Sequence, residues 1–345
     1  MTVSPNPNVA TYYQRMQDHP SSSAAGVVDS GNDMHVREIR MTIDRRSILQ
    51  GCLATAAAAL VPVNVEAQAS QLITRPIPST GERLPVVGLG SWITFNVGND
   101  SVLLDDRAAV MAAFFKAGGR MIDSSPMYGS SQPTIGYGLQ KLGFPQVLFS
   151  AEKVWVSNPR KGPGQIETSR SYWGVPRFDL MQVHNLVSWQ SHLETLFAMK
   201  AEKKVRYVGI TTSHGRRHAE FEQVMASQPV DFIQVTYNVL DRQVEERILP
   251  LARERGIAVI VNRPFRRGHL IKQVERHPLP AWAGETGAGN WAQFLLKFIV
   301  SNTAVTCAIP ATTRVDHVRE NMAAATGIIP DEGLRRRMAA YVQQL

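Results

Sequence analysis

Eight short apolar runs, alternating with stretches of helical periodicity, constrain this chain more than any other feature. They lie at 83–90, 120–122, 147–150, 180–183, 205–210, 232–235, 257–261 and 304–309. Each is nearly continuous in apolar residues, the pattern of parallel strands covered on both faces. Between the first two, 102–116 sets Ala109, Met111, Ala112 and Phe115 at helical spacing and stops at Gly118-Gly119. Further helices are predicted at 189–204, 219–226, 243–255, 291–300 and 315–325, whereas 155–178 carries Pro, Gly and Ser and leaves only 165–172 as a short helix. This alternation predicts an α/β chain, a (β/α)8 TIM barrel forming a single domain over 70–345.

Composition fits that reading and narrows the partners. With 345 residues, 44% hydrophobic, the chain can bury a sizeable core. Its net charge of +8 is spread without a long basic run. The densest clusters, Arg216-Arg217, Arg266-Arg267 and Arg335-Arg336-Arg337, lack accompanying aromatics and read as solvated helix ends or an anion site, not as a nucleic-acid surface. The two cysteines, Cys52 and Cys307, offer neither a disulfide framework nor a metal cluster, so no metal is expected. Cys307 reads as a buried strand thiol.

The first seventy residues differ from the rest. Residues 1–40 show no hydrophobic periodicity and read as disordered, or as a non-native extension ahead of a true start at Met41. Over 41–69, Arg45-Arg46 precedes an apolar run at 51–63 and the small-residue site Ala67-Gln68-Ala69, the layout of a twin-arginine signal peptide. The run is short for a membrane span, so no stable anchor is expected after cleavage. The expected partner is the twin-arginine translocation machinery and the expected location the periplasm, or the cytoplasm if the signal does not function. A lipoprotein box at Leu49-Gln50-Gly51-Cys52 is rejected because the hydrophobic run follows the cysteine.

The chemistry sits at the strand ends. Asp123 and Tyr128 follow the second run in Met121-Ile122-Asp123-Ser124-Ser125-Pro126-Met127-Tyr128-Gly129; Lys153 follows the third and His184 the fourth. In a parallel barrel these ends open onto one face, where catalytic groups collect. A phenol with a pKa of about 10 is a weak acid near neutrality. An adjacent ammonium is expected to lower that value, and a carboxylate to hold the ammonium charged. Tyr128 would then give a proton to a carbonyl oxygen as a hydride reaches the carbon, while His184 orients the substrate. Trp92, Trp155 and Tyr237 are expected to wall the pocket.

These segments resemble the aldo-keto reductases. The likeness covers nearly all of 80–330 and includes Val87-Gly88-Leu89-Gly90, the Asp-Ser-Ser-x-x-Tyr-Gly element, Gln182-Val183-His184-Asn185, Gln234-Val235-Thr236-Tyr237-Asn238, Ile309-Pro310-Ala311-Thr312-Thr313 and Glu320-Asn321. The resemblance implies a (β/α)8 barrel that reduces aldehydes and ketones with NADP, NAD being possible, through a tetrad falling on Asp123, Tyr128, Lys153 and His184. It also implies cofactor contacts at Gly90, Ser91, Trp92, Asn185, Thr211, Thr212, Gln234, Asn262, Arg263, Pro264, Phe265, Ile309, Thr312, Thr313, Arg314 and Asn321. The chain departs from the family at Thr211-Thr212, where many members carry Ser-Asn, and at Asn262, where many stack an aromatic on the nicotinamide. Ala311 and His317 replace the usual 2′-phosphate cations, leaving Arg314 as the nearest substitute, with Arg266 and Arg267 as others.

Two other readings stay open at this level. One is a dinucleotide-binding sensor or accessory subunit with little turnover, which the altered ring grip at Thr212 and Asn262 favours slightly and the intact tetrad speaks against. The other, a barrel lyase or isomerase, needs a phosphate or metal site for which no ligand spacing stands out.

Overall fold

The computed structural model describes residues 71–345; the predicted extension at 1–40 and leader at 41–69, with Cys52, lie outside the described residues. An antiparallel hairpin of β1 (Thr74–Pro76) and β2 (Arg83–Pro85) comes first. Eight parallel strands follow: β3 (Leu89–Gly90), β4 (Met121–Asp123), β5 (Phe149–Val154), β6 (Phe178–Val183), β7 (Val205–Thr211), β8 (Phe232–Thr236), β9 (Ala258–Asn262) and β10 (Cys307–Ala308). Each pairs with its neighbour in sequence, and bridges Val87–Ala308 and Gly90–Ala311 join the first segment to the last. The helices between and after them are α1 (Ser101–Lys116), α2 (Ser131–Lys141), α3 (Gly162–Trp173), α4 (Trp189–Ala201), α5 (His218–Ser227), α6 (Ile248–Glu254), α7 (His269–Val274), α8 (Trp291–Val300), α9 (Val315–Ala323) and α10 (Glu332–Val342). The predicted (β/α)8 order is present, and no helix among the described residues is long and apolar enough to cross a membrane.

Strand alternation places the site. Side chains of period two divide β5 between two cores. Phe149 and Ala151 join Met121, Leu180, Phe232, Ile260 and Cys307 in an inner cluster that also takes in Ile77 and Leu84 from the hairpin. Val154 and Met181 belong to the larger layer against the helices. Lys153 therefore follows Phe149 and Ala151 toward the barrel axis, while Glu152 faces outward to α2 and α3. Register sets Lys153 beside Gln182 and Ile122 beside Ser150, so the ionisable ends of β4, β5 and β6 lie next to one another.

The structure departs from the sequence reading at particular elements. The run at 83–90 is divided: its first part pairs with β1, Val87 bridges to Ala308, and Leu89–Gly90 pairs with β4. The run at 304–309 narrows to Cys307–Ala308. The poor crossover holds a full helix, α3, which ends on Gly174 in the left-handed conformation (φ 67°). Helix α2 gave no clear signal because Pro133, Gly136 and Gly138 dilute its periodicity. Pro133 falls in its first turn, where its missing N–H costs nothing.

The glycines of α2 are contact points. A methyl at Gly136 would stand 1.9 Å from the Tyr172 carbonyl oxygen, and one at Gly138 2.5 Å from Met111 Sδ, so α2 rests closely on both α3 and α1. The obstacle at Gly136 is backbone and cannot rotate away. Gly136→Ala should therefore cost about 2–3 kcal/mol, the scale of core overpacking, and lower Tm by several degrees. Gly164→Ala, which meets nothing within 4 Å, should leave Tm unchanged or slightly raised; equal effects of the two substitutions in thermal unfolding would contradict this packing.

Candidate active site

The site is built around a buried ammonium. Lys153 is fully enclosed, and its Nζ donates to Asp123 Oδ2 at 2.6 Å and to the Ser124 carbonyl at 2.6 Å. Burial alone disfavours its charge, but Asp123, Tyr128 and Glu152 together outweigh that penalty and hold its pKa above the ordinary lysine value. The other oxygen of Asp123 accepts from the Gln234 amide at 2.8 Å and lies 3.4 Å from that of Gln182. Asp123 is thus oriented from β5, β6 and β8 at once.

Tyr128 and His184 close over this pair. The Lys153 Nζ lies 5.2 Å from the Tyr128 ring centroid, and the Tyr128 and His184 rings meet edge to face at 5.9 Å. Ser125 Oγ accepts the Met127 N–H at 3.2 Å and shares a hydrogen bond with His184 Nδ1 at 2.8 Å, which fixes the plane of the ring. Burial, reinforced by the charge on Lys153, holds the His184 pKa well below the usual histidine value, so the ring is neutral near pH 7.

The phenol corrects one expectation. The ammonium was expected to lower the Tyr128 pKa, yet that pKa is pushed up to about 12. Burial is the largest cause; Lys153 pulls the other way, but Asp123 and Glu152 support the rise. The phenol therefore stays protonated at neutral pH.

The expected cofactor residues divide into several groups. Gly90 serves barrel closure, since a methyl there would stand 2.8 Å from the Ile309 carbonyl oxygen, and the Ser91 hydroxyl donates to the Asp123 carbonyl at 2.8 Å. Thr211 Oγ1 accepts the Asn185 N–H at 3.0 Å and keeps its own proton, whereas Thr212 spends its proton on the Arg216 carbonyl at 2.6 Å. The Asn262 amide is engaged on both sides, donating to the Thr212 carbonyl at 3.0 Å and accepting from Thr236 Oγ1 at 2.6 Å. Gln234 is turned to Asp123, as described. Ile309, Thr312 and Asn321 are buried at the β10 end of the face, with Thr313 and Arg314 exposed beside them. Arg314 is ion-paired with Asp316, so the nearest substitute for a 2′-phosphate cation is already satisfied. Arg263, Pro264 and Phe265 follow β9, and Arg266 there is paired with Asp241.

A basic cluster on this face gathers arginines that the sequence reading named separately. Arg216, Arg263 and Arg267 all reach His214, and no salt bridge engages them among the described residues. Burial first, then these guanidinium groups, push the His214 pKa down to about 4. A cavity of about 580 Å³ opens beside it, lined by His214, His218, Thr236, Arg263 and Arg266 among others. The buried Arg263 Nε and His218 Nε2 have no hydrogen-bond partner among the described residues. The sequence reading held Arg216-Arg217 and Arg266-Arg267 as solvated helix ends or an anion site and Arg263 as a cofactor contact, but did not bring His214 and His218 to them. Of the expected pocket aromatics, Trp155 is half exposed with its ring 6.3 Å from His184, and Trp92 lies under the Arg267 guanidinium at 4.2 Å. Tyr237 is not a pocket wall: it is fully buried, with its hydroxyl bonded to Glu245 and Arg335.

Comparison with known proteins agrees with this geometry. A family profile described as the Aldo/keto reductase family matches residues 86–337, most of the chain. The chain belongs to the aldo/keto reductase family. Among its relatives is the NADH-specific methylglyoxal reductase of Escherichia coli K12, 26% identical over 263 residues that span 65% of this chain and 77% of the relative. Methylglyoxal reductase YeaE of the same organism is 26% identical over 246 residues, 70% of this chain and 85% of the relative. Among solved structures, an aldo-keto reductase from Klebsiella pneumoniae in complex with NADPH superposes with a TM-score of 0.67 at 21% identity, covering 79% of this chain and 96% of that one. At that identity the superposition bears on the fold alone.

Proposed function

We propose that this aldo/keto reductase reduces a small aldehyde or ketone to the alcohol with NADPH or NADH, using Tyr128 as the proton donor. The observation that carries this reading is the fully buried Lys153–Asp123 pair beneath Tyr128, with a neutral His184 beside it. A phenol with a pKa of about 12 does not ionise near neutrality. It is nevertheless far more acidic than the alcohol being formed, so it hands over its proton as alkoxide character develops. In this reading His184 Nε2 carries the ring proton, donates to the same oxygen and orients the carbonyl. Lys153 takes up the charge left on the phenolate, and Asp123 keeps that ammonium in place.

The dinucleotide, when bound, supplies the hydride. The residues present suit its phosphates. Arg216, Arg263 and Arg267, uncompensated by carboxylates among the described residues, would hold a diphosphate at the ends of β7 and β9. Thr211, which keeps a free hydroxyl proton, and the buried Asn321 are further candidate contacts, joined by Gly90, Ser91, Trp92 and Asn185 from the near side of the barrel mouth. Both cofactors are proposed: a named relative is specific for NADH, a fold neighbour holds NADPH, and Arg314 is already paired with Asp316. Methylglyoxal is the first substrate to try, because two relatives are named for it.

The leader belongs to the same proposal. Arg45-Arg46, the apolar run at 51–63 and Ala67-Gln68-Ala69 support twin-arginine export to the periplasm, which would deliver the protein folded.

Two outcomes follow. Tyr128→Phe should lower kcat for carbonyl reduction by about 10²-fold or more while leaving cofactor binding, followed by fluorescence, within about twofold; an unchanged kcat would remove Tyr128 from the chemistry. Arg45→Lys with Arg46→Lys should leave the full-length protein in the cytoplasmic fraction, and unaltered export of that variant would exclude the route.

A further inference from the structure

Lys153 has two buried carboxylates within its field, and the chemistry described so far uses one. Glu152, its neighbour in β5, is fully buried on the outward face of the strand. Its Oε1 accepts the backbone N–H of Lys153 itself at 2.8 Å. Its Oε2 accepts from Gln132 Nε2 of α2 at 2.9 Å and from Trp173 Nε1 of α3 at 2.9 Å, and Gln132 is braced in turn on Ser169 Oγ at 2.7 Å. The groups facing Glu152 from α2 and α3 are therefore uncharged, and Met181, its register partner in β6, is apolar. The charged or titratable groups that act on it come from Lys153, from Asp123 in β4 and from Tyr128 beyond.

Charge balance makes this arrangement informative. Two enclosed carboxylates share one enclosed ammonium, and Asp123 already holds the ammonium directly. A second buried negative charge lacks a counter-ion of its own, so burial favours its protonated form against the three N–H donors that favour the carboxylate. We propose that Glu152 is a positioning residue that acts through Lys153: its carboxyl fixes the backbone that carries the ammonium, and its gain or loss of a proton resets the acidity of Tyr128. The proposal rests on the reductase reading above. Burial is the main reason the Glu152 pKa rises to about 7, with Lys153 and the Gln132 hydrogen bond opposing it. When Glu152 is ionised, its charge holds the Tyr128 proton more tightly and makes the phenol a poorer donor. Reduction should therefore be faster with Glu152 protonated, below about pH 7, and slow as the pH rises through that value.

The test compares the wild type with Glu152→Gln from pH 6 to pH 8. In the wild type, kcat with NADPH and methylglyoxal should fall by about two- to fivefold across the range with little change in the cofactor KM. In the variant it should stay flat within about 1.5-fold. Infrared difference spectra, which need no turnover, should show a protonated-carboxyl band in the wild type that fades over the same range and is absent from the variant. The introduced amide sets its own NH2 against the Gln132 and Trp173 donors, and the variant could fail to fold on that account. Trp173→Phe covers that outcome: loss of one donor to the carboxylate should move both the kinetic step and the band to higher pH. Superimposable kcat profiles, or a carboxyl band unaffected by either substitution, would overturn the proposal. A folded wild type inert toward carbonyl compounds would instead overturn the functional reading, leaving the infrared titration to decide the role of Glu152.

Discussion

An ammonium sealed inside the barrel is the constraint from which the rest of the site follows. Lys153 has no access to solvent, so its charge persists because Asp123 Oδ2 lies 2.6 Å away, the Ser124 carbonyl accepts a second hydrogen bond at 2.6 Å, and Tyr128 and Glu152 add to the favourable field. Removing either partner of such a pair strands a buried charge, which costs far more than the pair itself contributes. The surroundings accordingly hold both members. Gln234 fixes the carboxylate from across the barrel, and Glu152 fixes the lysine backbone from outside it. The enclosure also explains why Tyr128 is held protonated and His184 neutral: the medium that preserves one stabilised charge penalises every additional one.

Much of this was legible in the sequence because two signals were independent. Near-continuous apolar runs fixed the class of sheet, and ionisable residues just past those runs fixed the face on which chemistry collects. Asp123, Tyr128, Lys153 and His184 are far apart along the chain, yet parallel strand order alone brings their ends together. Helix α2 was illegible for a physical reason, since Gly136 and Gly138 are there to let α3 and α1 approach, and that requirement erases the apolar periodicity of the helix. The division of the first strand was hidden because Arg83–Pro85 and Leu89–Gly90 belong to one apolar run although they pair in opposite senses.

The site features that sequence missed are those that depend on which way a strand faces. Glu152 and Lys153 are adjacent, and only the pleat shows that one serves the helices and the other the barrel axis. Tyr237, next to a matching Gln234 segment, turns instead to Glu245 and Arg335 in the core. The guanidinium cluster on His214 draws on loops after β7 and β9, so no local motif announces it. The direction of the Tyr128 shift is a related case: motif reasoning counts the neighbouring ammonium, whereas burial depends on the whole enclosure and is the larger effect here.

The central claim is that a phenol set against a buried ammonium–carboxylate pair remains a proton-holding acid across the working range. The most direct measurement is an ultraviolet difference titration of the wild type against Tyr128→Phe, which isolates the ionisation of that one residue. The account predicts no Tyr128-dependent phenolate absorbance up to about pH 10, with ionisation approached only near 12. A phenolate signal from Tyr128 below pH 10 would show that Lys153 prevails over burial, and would contradict it.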